Sequence, residues 1–358
     1  MTRVLFSGYA PVHYLCFRPL VPFLTSELGA EVHLTGGLRS RESEEHPYRY
    51  DPQGLYGSFL ETAGQIRSLE EVAGQEYDLS FTSSTTRITE ETTACSVQIF
   101  HGVSFRNRAI RPENMSWDYY FLIGPYMRRR FESAGFLTPG DPRALNIGFM
   151  KTDVFFDETT SKAAAQQALG FDGSRPVLLF APTGQKYNAM ETMGLDVVEQ
   201  LASTDRFDIL IKLHDHPKNK IDWKSELAPF LSPHCVLTDE PDVATCQLAS
   251  DVLITDASSV SIEYTLLDRP IIYLDVPNLI AKAAKREDSM LDLATWGRRT
   301  GRLVSHISEL LPSVNEAIEY PDLFSEIRHK ASQDIFYNPG KATETAAAWV
   351  RDRAGPSF

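Results

Sequence analysis

Short apolar runs alternate with longer segments of helical periodicity along the whole chain. In the first part of the chain the runs cover residues 3–6, 31–34, 78–81, 96–100, 119–123 and 145–149. A second series covers residues 177–180, 209–212, 236–237, 252–255 and 271–274. Most runs are continuously apolar, which is typical of strands buried on both faces of a parallel sheet. The pattern predicts an α/β fold with two doubly wound, Rossmann-like sheets.

A polar segment at residues 151–165 separates the two series. We therefore predict a boundary near residue 155, with an N-terminal domain at 1–155 and a C-terminal domain at 156–358. Helical patterns near 186–203, 218–229, 242–249 and 258–268 lie between the later strands. A last helix at about 340–352 follows the breaker Asn338-Pro339-Gly340, and its packing back on the N-terminal domain is one arrangement to test. If the two sheets face each other across a cleft, their strand ends form the active site there.

Composition and charge narrow the class of protein. The length of 358 residues fits two domains, and 42% hydrophobic with 23% charged residues is typical of globular proteins. The formal net charge of -13 repels polyanions, so we expect no nucleic acid partner. No apolar segment approaches the about 20 residues that span a bilayer, so we expect no stable membrane insertion. The first residues resemble a strand rather than a signal peptide, and the four cysteines lack a C-x-x-C pair. These features favour a cytoplasmic protein with reduced, buried cysteines.

The most informative stretch covers residues 250–275, where a buried strand runs into a polar turn and then a helix. Thr255, Asp256, Ser258 and Ser259 occupy that turn, and the first turn of the helix contains Glu263. Hydroxyl and backbone N–H groups at such a position suit a diphosphate, and Glu263 suits ribose hydroxyls. The alternative is that Asp256 or Ser258 only caps the helix.

A second polar loop follows the strand at residues 209–212. Lys212, His214, His216 and Lys218 fall within seven residues there, and four groups able to carry positive charge favour a phosphate site. The alternative is that one of these side chains caps a helix and the others are solvated. Thr183 lies in a similar loop after the strand at 177–180, where a backbone can approach a ligand or simply turn.

The strand at residues 96–100 ends in His101, and Arg106 and Arg108 follow in the next loop. A histidine at a strand end can accept a proton from an acceptor hydroxyl, because its pKa lies near neutrality. A single histidine in such a place can equally be structural. The chain has no D-x-D pair to hold a divalent metal, so we expect a metal-independent reaction without a cofactor.

Taken together, these stretches resemble the CDP-glycerol glycerophosphotransferase family of teichoic acid and capsule synthesis, which has a GT-B fold. The family elements W-H-G-T-x-x-K and G-x-P-R-x-D match residues 100–106 and 148–153, and P-T-W-R matches 182–185. The elements K-x-H-P and L-I-T-D-Y-S-S, with a later acidic residue, match 212–215, 253–259 and Glu263. The segment G-P-v-v matches residues 301–304, so the resemblance covers residues 96–310.

The resemblance implies a role for each matched residue. His101 would be the base that deprotonates the acceptor, and His214 would steady the diphosphate, a role for which His216 competes because Pro217 follows it. The residues implied in donor binding are Thr183, Lys212, His216, Thr255, Asp256, Ser258, Ser259 and Glu263. Arg106 and Lys151 would contact the acceptor or a phosphate.

The implied function is transfer of a glycerol-phosphate-like group from a nucleotide-diphospho donor to a hydroxyl acceptor, either a glycan or a lipid-linked one. The chain departs from the family motifs at Val103, Gly184, Gln185 and Ala257, which we interpret as donor-contact positions. Three alternatives follow: a GT-B glycosyltransferase that uses a nucleotide sugar, a nucleotide-sugar 2-epimerase-like isomerase, and a non-catalytic nucleotide-binding protein. The nucleotide base and the acceptor stay open at this point.

Overall fold

The computed structural model describes residues 2–43, 45–84, 87–89, 91–214, 221–286 and 290–353. The chain divides into two compact units. Unit 1 comprises Met1–Gly102, Ala109–Asp153 and Ile335–Phe358, and unit 2 comprises Val103–Arg108 and Val154–Asp334.

Unit 1 is built on a parallel sheet of six strands with the order β2-β1-β5-β6-β7-β8. The strands of unit 1 are β1 (Arg3–Gly8), β2 (Glu31–Gly36), β3 (Leu38–Ser40), β4 (Arg49–Asp51), β5 (Glu76–Thr82), β6 (Thr92–Gln98), β7 (Tyr119–Leu122) and β8 (Ala144–Asn146). Strands β3 and β4 form a separate antiparallel hairpin. The helices are α1 (Pro11–Phe17), α2 (Leu20–Ser26), α3 (Pro52–Tyr56), α4 (Leu69–Val72) and α5 (Pro125–Ser133). The strand order reverses between β1 and β5, which is where doubly wound sheets bind their ligands.

Unit 2 has a second parallel sheet, with the order β11-β10-β9-β12-β13-β14. Its strands are β9 (Val177–Phe180), β10 (Asp208–Ile211), β11 (Cys235–Leu237), β12 (Val252–Thr255), β13 (Ile271–Leu274) and β14 (Arg302–Val304). Its helices are α6 (Lys162–Ala168), α7 (Ala189–Thr192), α8 (Asp196–Ala202), α9 (Trp223–Leu227), α10 (Val243–Ala249), α11 (Val260–Tyr264), α12 (Pro277–Ala284), α13 (Leu310–Glu319) and α14 (Ser325–Ile335). This is the Rossmann strand order, and it reverses between β9 and β12.

The predicted α/β class with two parallel sheets is confirmed, and each predicted apolar run overlaps a strand. The sequence pattern missed β3, β4 and β14, because three-residue strands with charged residues carry no clear apolar signal. The four cysteines are buried and free, as predicted. In the described part of the chain, no helix combines the length and the apolar character that a membrane crossing requires.

The C-terminal segment, with helix α15 (Ala342–Arg353), belongs to unit 1. The backbone N–H groups of Ala342 and Thr343 donate to the carboxylate of Asp153 at 3.2 and 2.7 Å. The chain also passes so close to Gly124 that a Cβ there would lie 1.8 Å from the carbonyl oxygen of Ile335. Main-chain contacts of this kind hold the segment against the first sheet.

Arg328 on helix α14 is the largest fully buried side chain in the described residues, with 1% exposure. Its guanidinium donates to Asp268 Oδ1 at 2.8 Å and to the carbonyl oxygen of Pro321 at 2.8 Å. Asp268 ends the helical turn after α11 in the left-handed region, with φ of 48°. The buried guanidinium therefore joins two parts of unit 2.

We predict that Arg328→Ala lowers the free energy of unfolding by about 2–4 kcal/mol, because buried acceptors lose their donor. Lys330→Ala on the same helix removes an exposed ion pair with Glu326. This substitution should change the free energy of unfolding by less than about 1 kcal/mol. Urea titration followed by tryptophan fluorescence measures both values. Equal effects of the two substitutions would contradict the structural role of Arg328.

Candidate functional site

The carboxyl ends of β10, β9 and β12 lie side by side in unit 2. The backbone N–H of Lys212 donates to Phe180 O at 3.0 Å, and that of Ala181 donates to Ile254 O at 2.9 Å. The three strands therefore end at the same level, and the loops 181–186, 212–214 and 255–259 are neighbours. This edge includes the reversal point of the sheet, which is the expected ligand position in such folds.

Asp256 connects the loops on the two sides of this reversal point. Its side chain is fully buried, and its carboxylate accepts the backbone N–H groups of Thr183, Ala189 and Ala257 at 2.9, 2.9 and 2.5 Å. Burial raises the pKa of Asp256, while these N–H groups and the charge of Arg106 oppose that shift. The carboxylate is thus used inside the protein, where it fixes the shape of the loop after β9.

Thr255 also acts on the protein interior, because its fully buried hydroxyl donates to Ala181 O at 2.6 Å. Ser259 stands at the N-terminus of α11 and makes no side-chain capping hydrogen bond. The hydroxyl of Ser258 accepts only a long contact of 3.4 Å from the N–H of Val260. The simple capping interpretation of these serines therefore has little geometric support. Glu263, one turn further along α11, is 3% exposed.

The other predicted donor residues of unit 2 lie in the two neighbouring loops. Thr183 is 3% exposed and is held by Asp256 through its backbone. Lys212 is 9% exposed, and its Nζ donates to Leu213 O at 3.2 Å. His214 follows at the exposed end of the same loop. His216 lies outside the described residues, so the choice between His214 and His216 as the phosphate residue stays a prediction.

The segment Val103–Arg108 belongs to unit 2 although it follows the first sheet in the chain. Phe105 is 2% exposed within the main apolar cluster of unit 2. The N–H of Asp292 donates to Phe105 O at 2.7 Å, and Asn107 Nδ2 donates to Met290 O at 3.0 Å. One buried ring and two hydrogen bonds thus fix Arg106, the residue between them, in unit 2.

Arg106 brings a positive charge to the loops around Asp256. Burial and the neighbouring charge of Arg108 lower the pKa of Arg106 to about 10, and the charge of Asp256 opposes that shift. Arg106 therefore stays protonated at neutral pH. Its Nε is buried and has no hydrogen-bond partner among the described residues. A buried cation with an unused donor is suited to an anionic ligand.

His101 lies in unit 1, just after strand β6. Its Nδ1 is 2.6 Å from the carbonyl oxygen of Ser83. A carbonyl can only accept, so Nδ1 carries the proton and Nε2 carries the lone pair in the neutral ring. This is the tautomer that a general base needs if it uses Nε2.

The backbone before His101 adopts an uncommon conformation. Phe100 has φ of 50°, and bulky residues in this region store about 1–3 kcal/mol of strain. The side chain of Gln98 accepts the N–H of Phe100 at 3.1 Å and donates to Ser84 O at 2.8 Å. The fully buried amide of Gln98 therefore holds the turn that presents His101.

The G-x-P-R-x-D element, which was predicted to contribute Lys151, mainly makes contacts within unit 1. Gly148 has φ of 106°, and a Cβ there would lie 2.2 Å from the carbonyl oxygen of Tyr337. Asp153 accepts the first N–H groups of α15. Lys151 is 4% exposed, with its Nζ 5.7 Å from the ring centre of Phe149. Lys151 and Arg106 thus belong to different units, and a ligand role for Lys151 stays a prediction.

Sequence reasoning missed His13 and Ser83, which both contact the His101 region. The rings of His13 and His101 are 4.8 Å apart between centroids. Each missed residue follows a strand that borders the reversal point of the first sheet, His13 after β1 and Ser83 after β5. The strand order would have identified both, but this order is not visible in a single sequence.

Two departures from the family motifs lie in the core of unit 2. The side chains of Ala257 and Val103 are 0% and 8% exposed. These two residues therefore contribute to packing, while Gly184 is buried and Gln185 is half-buried in the loop after β9. An altered donor contact at Gly184 and Gln185 stays a prediction. Within the described ranges no three His, Cys, Asp or Glu side chains form a metal-binding group, and metal independence stays a prediction.

We predict that Asp256→Asn lowers the free energy of unfolding by about 2–4 kcal/mol, because an amide group would face backbone N–H donors. Asp205→Asn is the matched control, since it only breaks an exposed pair with Arg175. Thermal unfolding of both variants checks this, and an unchanged melting temperature in Asp256→Asn would contradict the assigned role.

The chain is similar to proteins of teichoic acid synthesis. The teichoic acid glycerol-phosphate primase of Bacillus subtilis is 28% identical over 160 residues, which are 44% of this chain and 39% of the primase. The teichoic acid ribitol-phosphate primase of Bacillus spizizenii is 25% identical over 249 residues, which are 67% of this chain and 61% of the primase. The chain therefore spans less than two thirds of the length of either primase.

A solved structure of the wall teichoic acid polymerase TagF, in a variant soaked with CDPG, has the same fold. Its TM-score to this chain is 0.68 at 16% identity, over 99% of this chain and 88% of the polymerase chain. The profile of CDP-glycerol:poly(glycerophosphate) glycerophosphotransferases matches residues 89–343, a range that includes His101 and the loops around Asp256. Because this match covers most of its 358 residues, the chain belongs to the CDP-glycerol:poly(glycerophosphate) glycerophosphotransferase family.

Proposed function

We propose that this protein transfers glycerol phosphate, or a similar polyol phosphate, from a CDP-linked donor to a hydroxyl group of a glycan acceptor. The observation that carries the proposal is the family match, which spans His101 and all three strand-end loops of unit 2. The names of the similar primases support a polyol phosphate as the transferred group, and the TagF structure soaked with CDPG supports a CDP-linked donor.

The donor diphosphate binds at the reversal point of the unit 2 sheet in this proposal. Arg106 and Lys212 supply positive charge, and the hydroxyls of Ser258 and Ser259 donate hydrogen bonds. Asp256 does not contact the ligand but holds the loop of Thr183 in shape. Charge neutralisation and positioning supply most of the catalysis in phosphoryl transfer, so this set of groups fits the task.

His101 acts on the acceptor in the proposed reaction. Its Nε2 takes the proton of the acceptor hydroxyl while that oxygen attacks the phosphorus next to glycerol. The bond from this phosphorus to the bridging oxygen of the diphosphate breaks, and CMP leaves with the bond electrons. The hydrogen bond from Nδ1 to Ser83 O stabilises the imidazolium that forms.

A nucleotide-sugar transferase is the second candidate, and the departures at Gly184 and Gln185 favour it. Such an enzyme attacks the sugar carbon, so a nucleoside diphosphate leaves. The identity of the released nucleotide separates the two reactions.

We expect the purified protein to release CMP from CDP-glycerol in the presence of a glycan acceptor, with the polyol phosphate appearing on the acceptor. The reaction should continue in EDTA, because cationic side chains neutralise the leaving group. Chromatography of the nucleotides and mass spectrometry of the acceptor measure both products. Release of a nucleoside diphosphate from a UDP- or GDP-sugar, with no CMP from CDP-glycerol, would refute the proposal.

His101→Ala should lower kcat by about 10²–10⁴-fold and leave the Kd of the donor nearly unchanged, because a general base acts only on the acceptor. His214→Ala should weaken donor binding and turnover together, because a group at the diphosphate acts in the ground state and the transition state. Single-turnover kinetics and calorimetry separate the two patterns. Full activity in His101→Ala would remove the base assignment.

Arg106→Gln should weaken donor binding about 10-fold or more, because a charge-assisted hydrogen bond contributes about 1.5–3 kcal/mol. The melting temperature should stay the same or rise, since burial of the Arg106 charge is costly to the fold and the charge of Asp256 offsets that cost only in part. Arg175→Gln, which only breaks a surface pair in the same unit, is the control. A loss of stability with unchanged donor affinity would show that Arg106 is structural.

A further inference from the structure

His13 lies on helix α1, directly after β1 and beside the reversal point of the unit 1 sheet. Its side chain is buried, with 2% exposure. Its ring meets the ring of His101 at 4.8 Å between centroids, with an angle of 53° between the planes. A Cβ on Gly8 would lie only 2.7 Å from His13 Cβ, so a side chain at position 8 would clash with His13.

The tautomer of His13 follows from its contact with the main chain. The backbone N–H of Tyr9 donates to His13 Nδ1 at 3.0 Å. Because an N–H can only donate, Nδ1 carries the lone pair and Nε2 carries the proton in the neutral ring. Protonation of His13 Nδ1 would place its N–H against the backbone N–H of Tyr9. This contact therefore favours a neutral His13. A neutral ring does not repel the imidazolium that His101 forms when it accepts a proton.

Ser83 connects the two histidines through its hydroxyl and its carbonyl oxygen. Its hydroxyl donates to the carbonyl oxygen of His13 at 3.2 Å, and its carbonyl oxygen accepts Nδ1 of His101 at 2.6 Å. Ser83 is 1% exposed and follows β5, so the three residues come from three adjacent strand ends. A displacement of His13 therefore moves both the packing surface and the hydrogen-bond acceptor of His101.

We propose that His13 is a positioning residue which, through its ring contact and through Ser83, holds His101 in the Nδ1–H tautomer with Nε2 as the basic nitrogen. The meaning of this arrangement for catalysis rests on the proposed role of His101 as the base. The arrangement itself is a property of unit 1 and can be measured without substrate.

Nuclear magnetic resonance of protein with ¹⁵N-labelled histidine tests the proposal, because long-range ¹H–¹⁵N correlations distinguish the two neutral tautomers. We expect the Nδ1–H form for His101 in the natural protein. His13→Asn keeps an acceptor for the N–H of Tyr9 but removes the ring, and should give a mixture of both tautomers at His101. His33→Asn is the matched control, since His33 is a buried histidine of the same unit that bonds Tyr77 and not His101.

A kinetic comparison completes the test. His13→Asn should lower kcat on the order of 10- to 100-fold, with the KM of the donor within about 2-fold, because a misplaced base affects only proton transfer. The same substitution in a His101→Ala background should have no further effect, whereas a purely structural role would lower kcat equally in both backgrounds.

Ser83→Ala keeps the carbonyl acceptor and removes only the link to His13, so it carries the test if His13→Asn does not fold. An unchanged His101 tautomer in these variants, or the same change in His33→Asn, would overturn the proposal. A changed tautomer in a protein that transfers nothing from any donor would instead refute the proposed function and leave the positioning role intact.

Discussion

The buried carboxylate of Asp256 is the interaction on which the unit 2 site depends. It accepts three backbone N–H groups, from Thr183 in the loop after β9, from Ala189 at the start of α7 and from the adjacent Ala257. A buried carboxylate without hydrogen-bond donors would destabilise the fold. The loop conformation that supplies these donors is therefore favoured. The hydrogen bond to Asp256 fixes the position of Thr183, and the negative charge of Asp256 attracts Arg106. The proposed donor site is thus organised by a residue that we do not expect to contact the donor.

In unit 1, the residues that follow adjacent parallel strands also converge, and there they orient His101. His13, Ser83 and His101 follow three adjacent parallel strands, and their contacts define which nitrogen of His101 carries the proton. The strained turn at Phe100 and the amide of Gln98 belong to the same arrangement. In each unit, the reversal of strand order opens a position where side chains from several strands can converge on one ligand atom.

Sequence reasoning predicted the strands around these positions because continuous apolar runs are a strong signal. It also selected His101, Arg106 and the serines, since each follows such a run. The inward use of Thr255 and Asp256 was not predictable, because a polar residue after a strand can face either the ligand or the protein. His13 was missed for a related reason, since its relation to His101 depends on the order of strands in the sheet. Residues 103–108 belong to unit 2 because Phe105 packs in its apolar cluster, and no local sequence pattern predicts that packing.

We propose that unit 2 binds a CDP-linked diphosphate with protein groups alone. Titration calorimetry in EDTA, with CDP-glycerol, CMP and a set of UDP- and GDP-linked compounds, tests it most directly. We predict saturable binding of CDP-glycerol without added metal, at least about 10-fold tighter than that of the UDP- and GDP-linked compounds. Preferred binding of a UDP- or GDP-linked compound, or binding that appears only after a divalent metal is added, would contradict it.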